Sequence, residues 1–314
     1  MMMKKVLIPT ALDPVAREIL EAHGGYAVVQ IPKADILQFA RENPDLHALI
    51  VRSEKVTAEI LDAAPNLKAV IRAGAGYNTI DTAHARQNGV DVMNTPGANS
   101  NGVAEEVVAL MLADARHLIA ADASCRCGKW EKTSFMGTEI TGKTIGIVGL
   151  GYIGRLVVKR LSGFEPVLLG YDPGTTPRQA EELGVKLVSL DELFAKSDYV
   201  SLHLPENATT RGMVNRQLLE QMKEGATLVN CARAGIINED DLRAIKAEKK
   251  LRFLNDVYPK DEEGPKTCTD IADIMVPHLG ASTREANHKA AELAARELIE
   301  LDEKGTHRAI VNKA

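Results

Sequence analysis

The stretch Gly149-Leu150-Gly151-Tyr152-Ile153-Gly154 decides how the rest of the chain is read. Before it, Thr144-Ile145-Gly146-Ile147-Val148 reads as a buried strand; after it, Arg155 to Leu161 reads as a helix. A second apolar run, Pro166 to Tyr171, ends at Asp172, 18 residues past Gly154. Strand, glycine turn, helix, strand and acid is the order of a dinucleotide-binding unit. Gly149 permits the tight turn, Gly151 lets backbone N–H groups approach a pyrophosphate, and Gly154 lets helix and strand pack closely. The helix start then offers its orphan N–H groups and positive dipole end to the phosphates.

Working outward, residues 1–97 alternate short apolar runs with helical patterns. Lys5–Ile8, Tyr26–Val29, Ala48–Arg52, Ala69–Arg72 and Asp91–Asn94 read as strands. Pro14–His23, Ala34–Arg41 and Thr57–Ala64 read as helices, with Asp13 and Thr57 as their starts. Asn94 to Gly102 is a loop dense in turn residues, and one long helix is expected from about Val103 to Ala123, buried between units. Beyond the glycine loop, Tyr199–His203, Thr227–Asn230 and Phe253–Asp256 read as strands, and a last helix from about Arg284 to Glu303 ends at Gly305. Such alternation means parallel sheets with crossover helices. The fold class expected is α/β, with two doubly wound parallel-sheet domains and a cleft between them. Residues 1–98 plus 285–314 form a flavodoxin-like substrate domain, and residues 99–284 form the Rossmann domain.

The 314 residues suffice for two cores, and 45% hydrophobic and 26% charged residues are ordinary for a globular protein. With net charge −5 and no basic run, nucleic acid is not an expected partner. No apolar stretch approaches a membrane span, and within the start, Met1 to Pro9, Val6-Leu7-Ile8 reads as a first strand rather than part of a signal peptide. Cys125, Cys127, Cys231 and Cys268 lack zinc-site spacing and are expected as reduced thiols in a cytoplasmic protein.

Hydride chemistry on a small acid needs a proton carrier and a cation for the carboxylate. Arg233 follows the strand Thr227–Val229, at the kind of strand end where open α/β sheets bind ligands. His278, between an apolar run and a helix start, has the side chain suited to proton transfer near neutral pH. The acids of Asp256 to Glu263 are candidate partners for it. Gly74-Ala75-Gly76 after a strand exposes N–H groups able to hold a carboxylate, and Arg52-Ser53 suits a phosphate. The ordinary alternatives are surface arginines, a structural histidine, a tight turn and a solvated acidic loop.

Together with Gly128-Lys129-Trp130-Glu131 through Glu139, Gly142-Lys143-Thr144, Val229-Asn230-Cys231-Ala232-Arg233 and Pro277-His278-Leu279-Gly280-Ala281-Ser282-Thr283, these residues resemble the D-2-hydroxyacid dehydrogenase family. The Leu279 to Thr283 continuation and Val51-Arg52-Ser53 resemble its phosphoglycerate-oxidising branch. The resemblance implies that Arg233 binds the substrate's C1 carboxylate and C2 oxygen, that His278 is the general acid/base, and that a Glu raises the pKa of His278 through a hydrogen bond. It implies that Gly74, Ala75 and Gly76 hold the carboxylate and that Arg52, with Ser53, meets a phosphate. Asp172 would take the adenosine ribose and Tyr152 and Ile153 the pyrophosphate. Ala75, Leu204, Cys231, Asp256, His278, Leu279, Gly280 and Ala281 would line the nicotinamide.

The chain departs from the family in places. Position 261, where the catalytic Glu is usual five residues past Asp256, is Asp; Glu262 lies one further, 29 residues past Arg233, and is the expected partner, with Asp261 the runner-up. Ala234 stands where Gly is usual, and Tyr77-Asn78-Thr79 replaces the common Val-Asp-Asn. The activity implied is NAD-dependent oxidation of 3-phospho-D-glycerate to 3-phosphohydroxypyruvate, the first step of serine synthesis. Asp172 favours NAD over NADP, since a carboxylate accepts from the 2′-OH but repels a 2′-phosphate. No metal is expected. Alternatives are reduction of glyoxylate, hydroxypyruvate or another 2-oxo acid and, from another class, an NADH-sensing interaction protein. The resemblance also implies a homodimer formed around Val103 to Glu139. With the chain ending at Ala314, serine feedback through an added regulatory domain is not expected.

Overall fold

The computed structural model describes residues 3–313, which divide into two compact units. The terminal unit is Met1–Asn99 with Ala281–Ala314; the central unit is Ser100–Gly280. The divisions thus fall after residues 99 and 280, against 98 and 284 from sequence. Ser100 already opens a helix of the central unit, and the Ala281 carbonyl accepts from Arg52 Nη2 of the terminal unit at 3.2 Å.

In the terminal unit five parallel strands, β1 (Lys4–Ile8), β2 (Tyr26–Gln30), β3 (Leu46–Val51), β4 (Ala69–Arg72) and β5 (Asp91–Asn94), lie in the order β2-β1-β3-β4-β5. That is the flavodoxin-like order. Alternation along the strands sends side chains to opposite faces. Val6, Ile8, Ile50 and Ile71 pack one core with the helices Val15–His23 and Arg284–Lys304; Leu7, Leu49, Val51 and Val70 pack the other. The last helix matches its expected bounds closely. Thr283 caps it by accepting from the Ala286 N–H at 3.0 Å, and Gly305 ends it at φ +69°.

The central unit has seven parallel strands: β6 (Thr144–Val148), β7 (Val167–Tyr171), β8 (Lys186–Leu187), β9 (Tyr199–Leu202), β10 (Thr227–Asn230), β11 (Arg252–Asn255) and β12 (Ile274–Met275). Their order is β12-β11-β10-β9-β6-β7-β8, a Rossmann sheet with one strand added at its edge. Its strands are buried on both faces: Val200, Leu228 and Phe253 pack one core, and Ile147, Val229 and Leu254 the other.

The long helix expected from Val103 to Ala123 is two helices, Ser100–Ala115 and Leu118–Arg126. The Ala115 carbonyl, which would carry the helix onward, accepts instead from the Thr138 N–H at 2.8 Å. His117 then turns left-handed at φ +51°. The first helix buries residues on several faces, whereas the second buries none.

Candidate functional site

Each glycine of the opening loop has a separable reason. Gly149 sits at φ +98°, and a Cβ there would stand 2.7 Å from the His203 carbonyl oxygen. A Cβ on Gly154 would run into the Gly149 carbonyl, so the helix Tyr152–Leu161 reaches its strand only without a side chain at that position. A Cβ on Gly151 would meet nothing within 4 Å, and no side chain caps the helix start there. The backbone is therefore open at the point where a pyrophosphate needs N–H donors. At the end of β7, Asp172 accepts from the Leu150 and Gly174 N–H groups, each at 2.7 Å. The acid is thereby fixed against the glycine loop, with lone pairs left for a ribose hydroxyl. Loop, helix start and acid fit a dinucleotide.

Three further strands of the same sheet end in groups that carry chemistry. At the end of β10, buried Asn230 braces the loop: its side chain accepts from the Ala232 N–H at 3.1 Å and donates to the Arg233 carbonyl at 3.0 Å. Half-buried Arg233 donates to the Ala232 carbonyl at 2.6 Å, and among the described residues no acid pairs with it. Such a guanidinium is available for bidentate capture of a carboxylate. His278 follows β12, which is two strands along the sheet from the β10 that Arg233 follows. Its Nδ1 is 2.6 Å from Asp261 Oδ2, and among the described residues nothing bonds its Nε2. The residue is left-handed at φ +53°.

The histidine's partner is thus Asp261, not the expected Glu262. The Glu262 carboxylate lies 3.8 Å from Lys260 Nζ and lines a cavity of about 530 Å³ with Tyr258, Asp261, Lys266 and Pro277. The chain bends at 259–260 and again at 262–264, and of the two neighbouring acids Asp261 is the one turned to the imidazole.

Asp256, at the end of β11, is only 1% exposed. Its carboxylate accepts from the Leu279 N–H at 2.6 Å and the Gly280 N–H at 3.2 Å, which fastens the turn following His278. Gly280 packs closely there: a Cβ would stand 2.9 Å from Glu106 Oε2 and from Val103 Cγ2, so either side chain would have to shift. Burial pushes Asp256 above the usual carboxylate range, with the two amide donors working against it. Cys231 is buried beside it, its thiol held neutral chiefly by burial and then by the nearby acids. Leu204 follows β9 and is half-buried.

Sequence reasoning missed two groups here. Glu106, from the helix Ser100–Ala115, has a carboxylate oxygen within 4.8 Å of an Asp256 carboxylate oxygen and of Cys231 Sγ. Burial, reinforced by the Asp256 charge, raises it to about 8. Its signal was available: Val103, Glu106 and Leu110 share one helix face, and the other two are buried. His203 is held neutral by burial, at about 3, and its Nε2 lies 2.9 Å from Ser201 Oγ.

The terminal unit places its own candidates at strand ends. Arg52, after β3, donates to Asn287 Oδ1 and the Ala281 carbonyl, both at 3.2 Å; these partners are neutral, and its positive charge is not cancelled by an acid among the described residues. Ser53 is exposed, and its N–H donates to Glu54. Gly74 is at φ +144°, where a side chain would strike the Arg72 guanidinium. The Gly74 N–H donates to the Arg72 carbonyl at 2.8 Å, which leaves the amides of Ala75 and Gly76 for a carboxylate. Asn94 fixes this turn by donating to the Ala75 carbonyl at 2.6 Å.

Residues 108–280 match the family described as D-isomer specific 2-hydroxyacid dehydrogenase, NAD binding domain. Over 268 residues, 84% of this chain and 51% of the relative, the sequence is 43% identical to the D-3-phosphoglycerate dehydrogenase of Archaeoglobus fulgidus. The chain spans about half the length of the curated relatives it matches. Among solved structures, the NAD+-bound 3-phosphoglycerate dehydrogenase of Entamoeba histolytica is similar over 99% of both chains, with TM-score 0.83 and 31% identity. A glyoxylate reductase from Paecilomyes thermophila is similar over 99% of both chains, with TM-score 0.86 and 28% identity.

Proposed function

The chain belongs to the D-isomer specific 2-hydroxyacid dehydrogenase family, and on that premise we propose that it oxidises 3-phospho-D-glycerate to 3-phosphohydroxypyruvate with NAD, the first step of serine synthesis. The observation that carries this reading is the His278–Asp261 pair at 2.6 Å, with Arg233 two strands along the same sheet and paired with no acid among the described residues.

Arg233 holds the C1 carboxylate and fixes the substrate's orientation. His278 Nε2 takes the C2 hydroxyl proton as the C2–H bond breaks, and Asp261 at Nδ1 stabilises the imidazolium that forms. NAD bound at the glycine loop supplies the acceptor for the C2 hydride. Asp172 accepts from the adenosine ribose, and its charge disfavours a 2′-phosphate. Arg52, with Ser53, takes the substrate phosphate. In the reverse direction His278 returns the proton to a 2-oxo acid.

Similarity to a glyoxylate reductase favours a second reading, reduction of an unphosphorylated 2-oxo acid. A panel of phosphorylated and unphosphorylated acids, read by absorbance of the reduced cofactor, separates the two. Arg52→Ala should raise KM for the phosphorylated substrate by about 10-fold or more, the scale of a lost charge-assisted contact, and leave an unphosphorylated one nearly unchanged. Equal effects on both would remove the phosphate contact. A homodimer is proposed through the segment around Val103 to Glu139, where Leu118, Ile119, Trp130 and Met136 are exposed, Trp130 at 87%. Sedimentation should give twice the chain mass, and Leu118→Asp with Ile119→Asp should give a monomer. We place the protein in the cytoplasm; fractionation of the source cells tests that. In the described residues, no helix is long and apolar enough to cross a membrane.

A further inference from the structure

Glu106 Oε2 is buried and, among the described residues, accepts no hydrogen bond. The polar atoms around it are the Asp256 carboxylate, from the end of β11, and the Cys231 thiol, from the end of β10, all within 4.8 Å of one another. Two ionised carboxylates this close and this dry repel each other, and each also bears the cost of desolvation. One proton between them removes both penalties. Its position follows from the donors. Asp256 receives two backbone N–H bonds and feels the positive end of His278, all of which favour its anion. Glu106 receives none. The proton therefore belongs on Glu106.

We propose that Glu106 is a positioning residue of the dehydrogenase site: as a neutral acid it shares its proton with Asp256 and so keeps Asp256 on the N–H groups of Leu279 and Gly280, the turn that carries His278. The inference rests on the dehydrogenase reading above for its consequence, though its geometry lies wholly within the central unit. The groups facing Glu106 are Asp256 and the neutral Cys231 thiol, with His278 acting on the pair through Asp256. Burial and Asp256 set the loss of the proton near pH 8, as a property of the pair. Above that pH the two carboxylates repel, Asp256 is driven off its amides, and the turn loosens.

Glu297 provides the control. It sits in the helix Arg284–Lys304 of the other unit, also with an unpartnered buried Oε2, and burial raises it to about 7. The charged groups acting on it are Arg308 and Glu300, neither of them a candidate site residue. Both acids hold a proton when folded that the unfolded chain releases near 4.5, so the stability each lends is full below that pH and is lost as pH rises through the folded value. Glu106→Gln and Glu297→Gln should therefore each melt above wild type by a margin that grows with pH, levelling near 8 and near 7 respectively.

The readout that separates them is NADH binding, followed by the fluorescence of the reduced cofactor, together with kcat/KM, from about pH 6 to about pH 9. Wild type should lose about tenfold in each between about pH 7 and about pH 9, as a one-proton step near 8 requires. Glu106→Gln, whose amide still donates to Asp256, should change less than about threefold over the same span, while Glu297→Gln keeps the wild-type profile. An unchanged alkaline limb in Glu106→Gln, or its disappearance in Glu297→Gln, would overturn the proposal. If NADH binding shows the limb but no 2-hydroxy acid is turned over, the dehydrogenase reading fails and the Glu106–Asp256 pair stands. If turnover is present without the limb, the reverse holds.

Discussion

Two aspartates attend His278, and they differ in almost every respect. Asp256 is buried at a strand end and holds backbone: its oxygens fasten the amides of the turn after the histidine. Asp261 is exposed on a polar loop and holds the ring, at Nδ1. The first works by accepting from two backbone N–H groups, the one on Gly280 buried, which makes it structural as well as functional. The second works through charge and orientation alone. A catalytic histidine thus needs one acid to fix where its backbone runs and another to fix which way its ring faces and which nitrogen stays free.

The comparison breaks most severely at Asp256. Asp256→Ala strands the buried Gly280 N–H, at about 1–3 kcal/mol, and frees the part-buried Leu279 N–H beside it. The expected outcome is a melting temperature lower by several degrees and kcat/KM lower by more than about 100-fold. A variant that melts and turns over like wild type would show that the turn holds itself. Asp261→Asn comes next: the amide still accepts from Nδ1–H but brings no charge to the imidazolium. A fall in kcat of about 10- to 100-fold is expected, with KM nearly unchanged and stability within about 0.5 kcal/mol. Smallest is Glu262→Gln, at less than about twofold in kcat, since its carboxylate meets Lys260 rather than the histidine. If Glu262→Gln proved the more damaging of these last two, the sequence-based expectation would be restored and the loop would take the other register when substrate is bound.

The parts legible in sequence were those fixed by local chemistry. Gly149 to Gly154, Asp172 and the helix from Thr283 to Gly305 each carry their reason within a few residues: a turn needing no Cβ, an acid at a strand end, a threonine cap and a left-handed glycine stop. The parallel sheets followed from the same βαβ alternation. What could not be read depends on residues distant in sequence. The break at His117 has no glycine or proline to announce it; the Thr138 amide, arriving from beyond the second helix, takes the Ala115 carbonyl. Choosing between Asp261 and Glu262 required knowing how a loop of four acids is turned, which spacing within the loop does not determine. Glu106 meets Asp256 and Cys231 from a helix more than a hundred residues earlier than either. Only its place on a buried helix face hinted at a role.

The most direct test of the central claim is the fate of the hydrogen on C2. With 3-phospho-D-glycerate deuterated at C2 and NAD, the reduced cofactor should carry the deuterium at C4 of the nicotinamide. Reduced cofactor formed without the label, or none formed from this or any other 2-hydroxy acid by protein that binds NADH, would contradict the account.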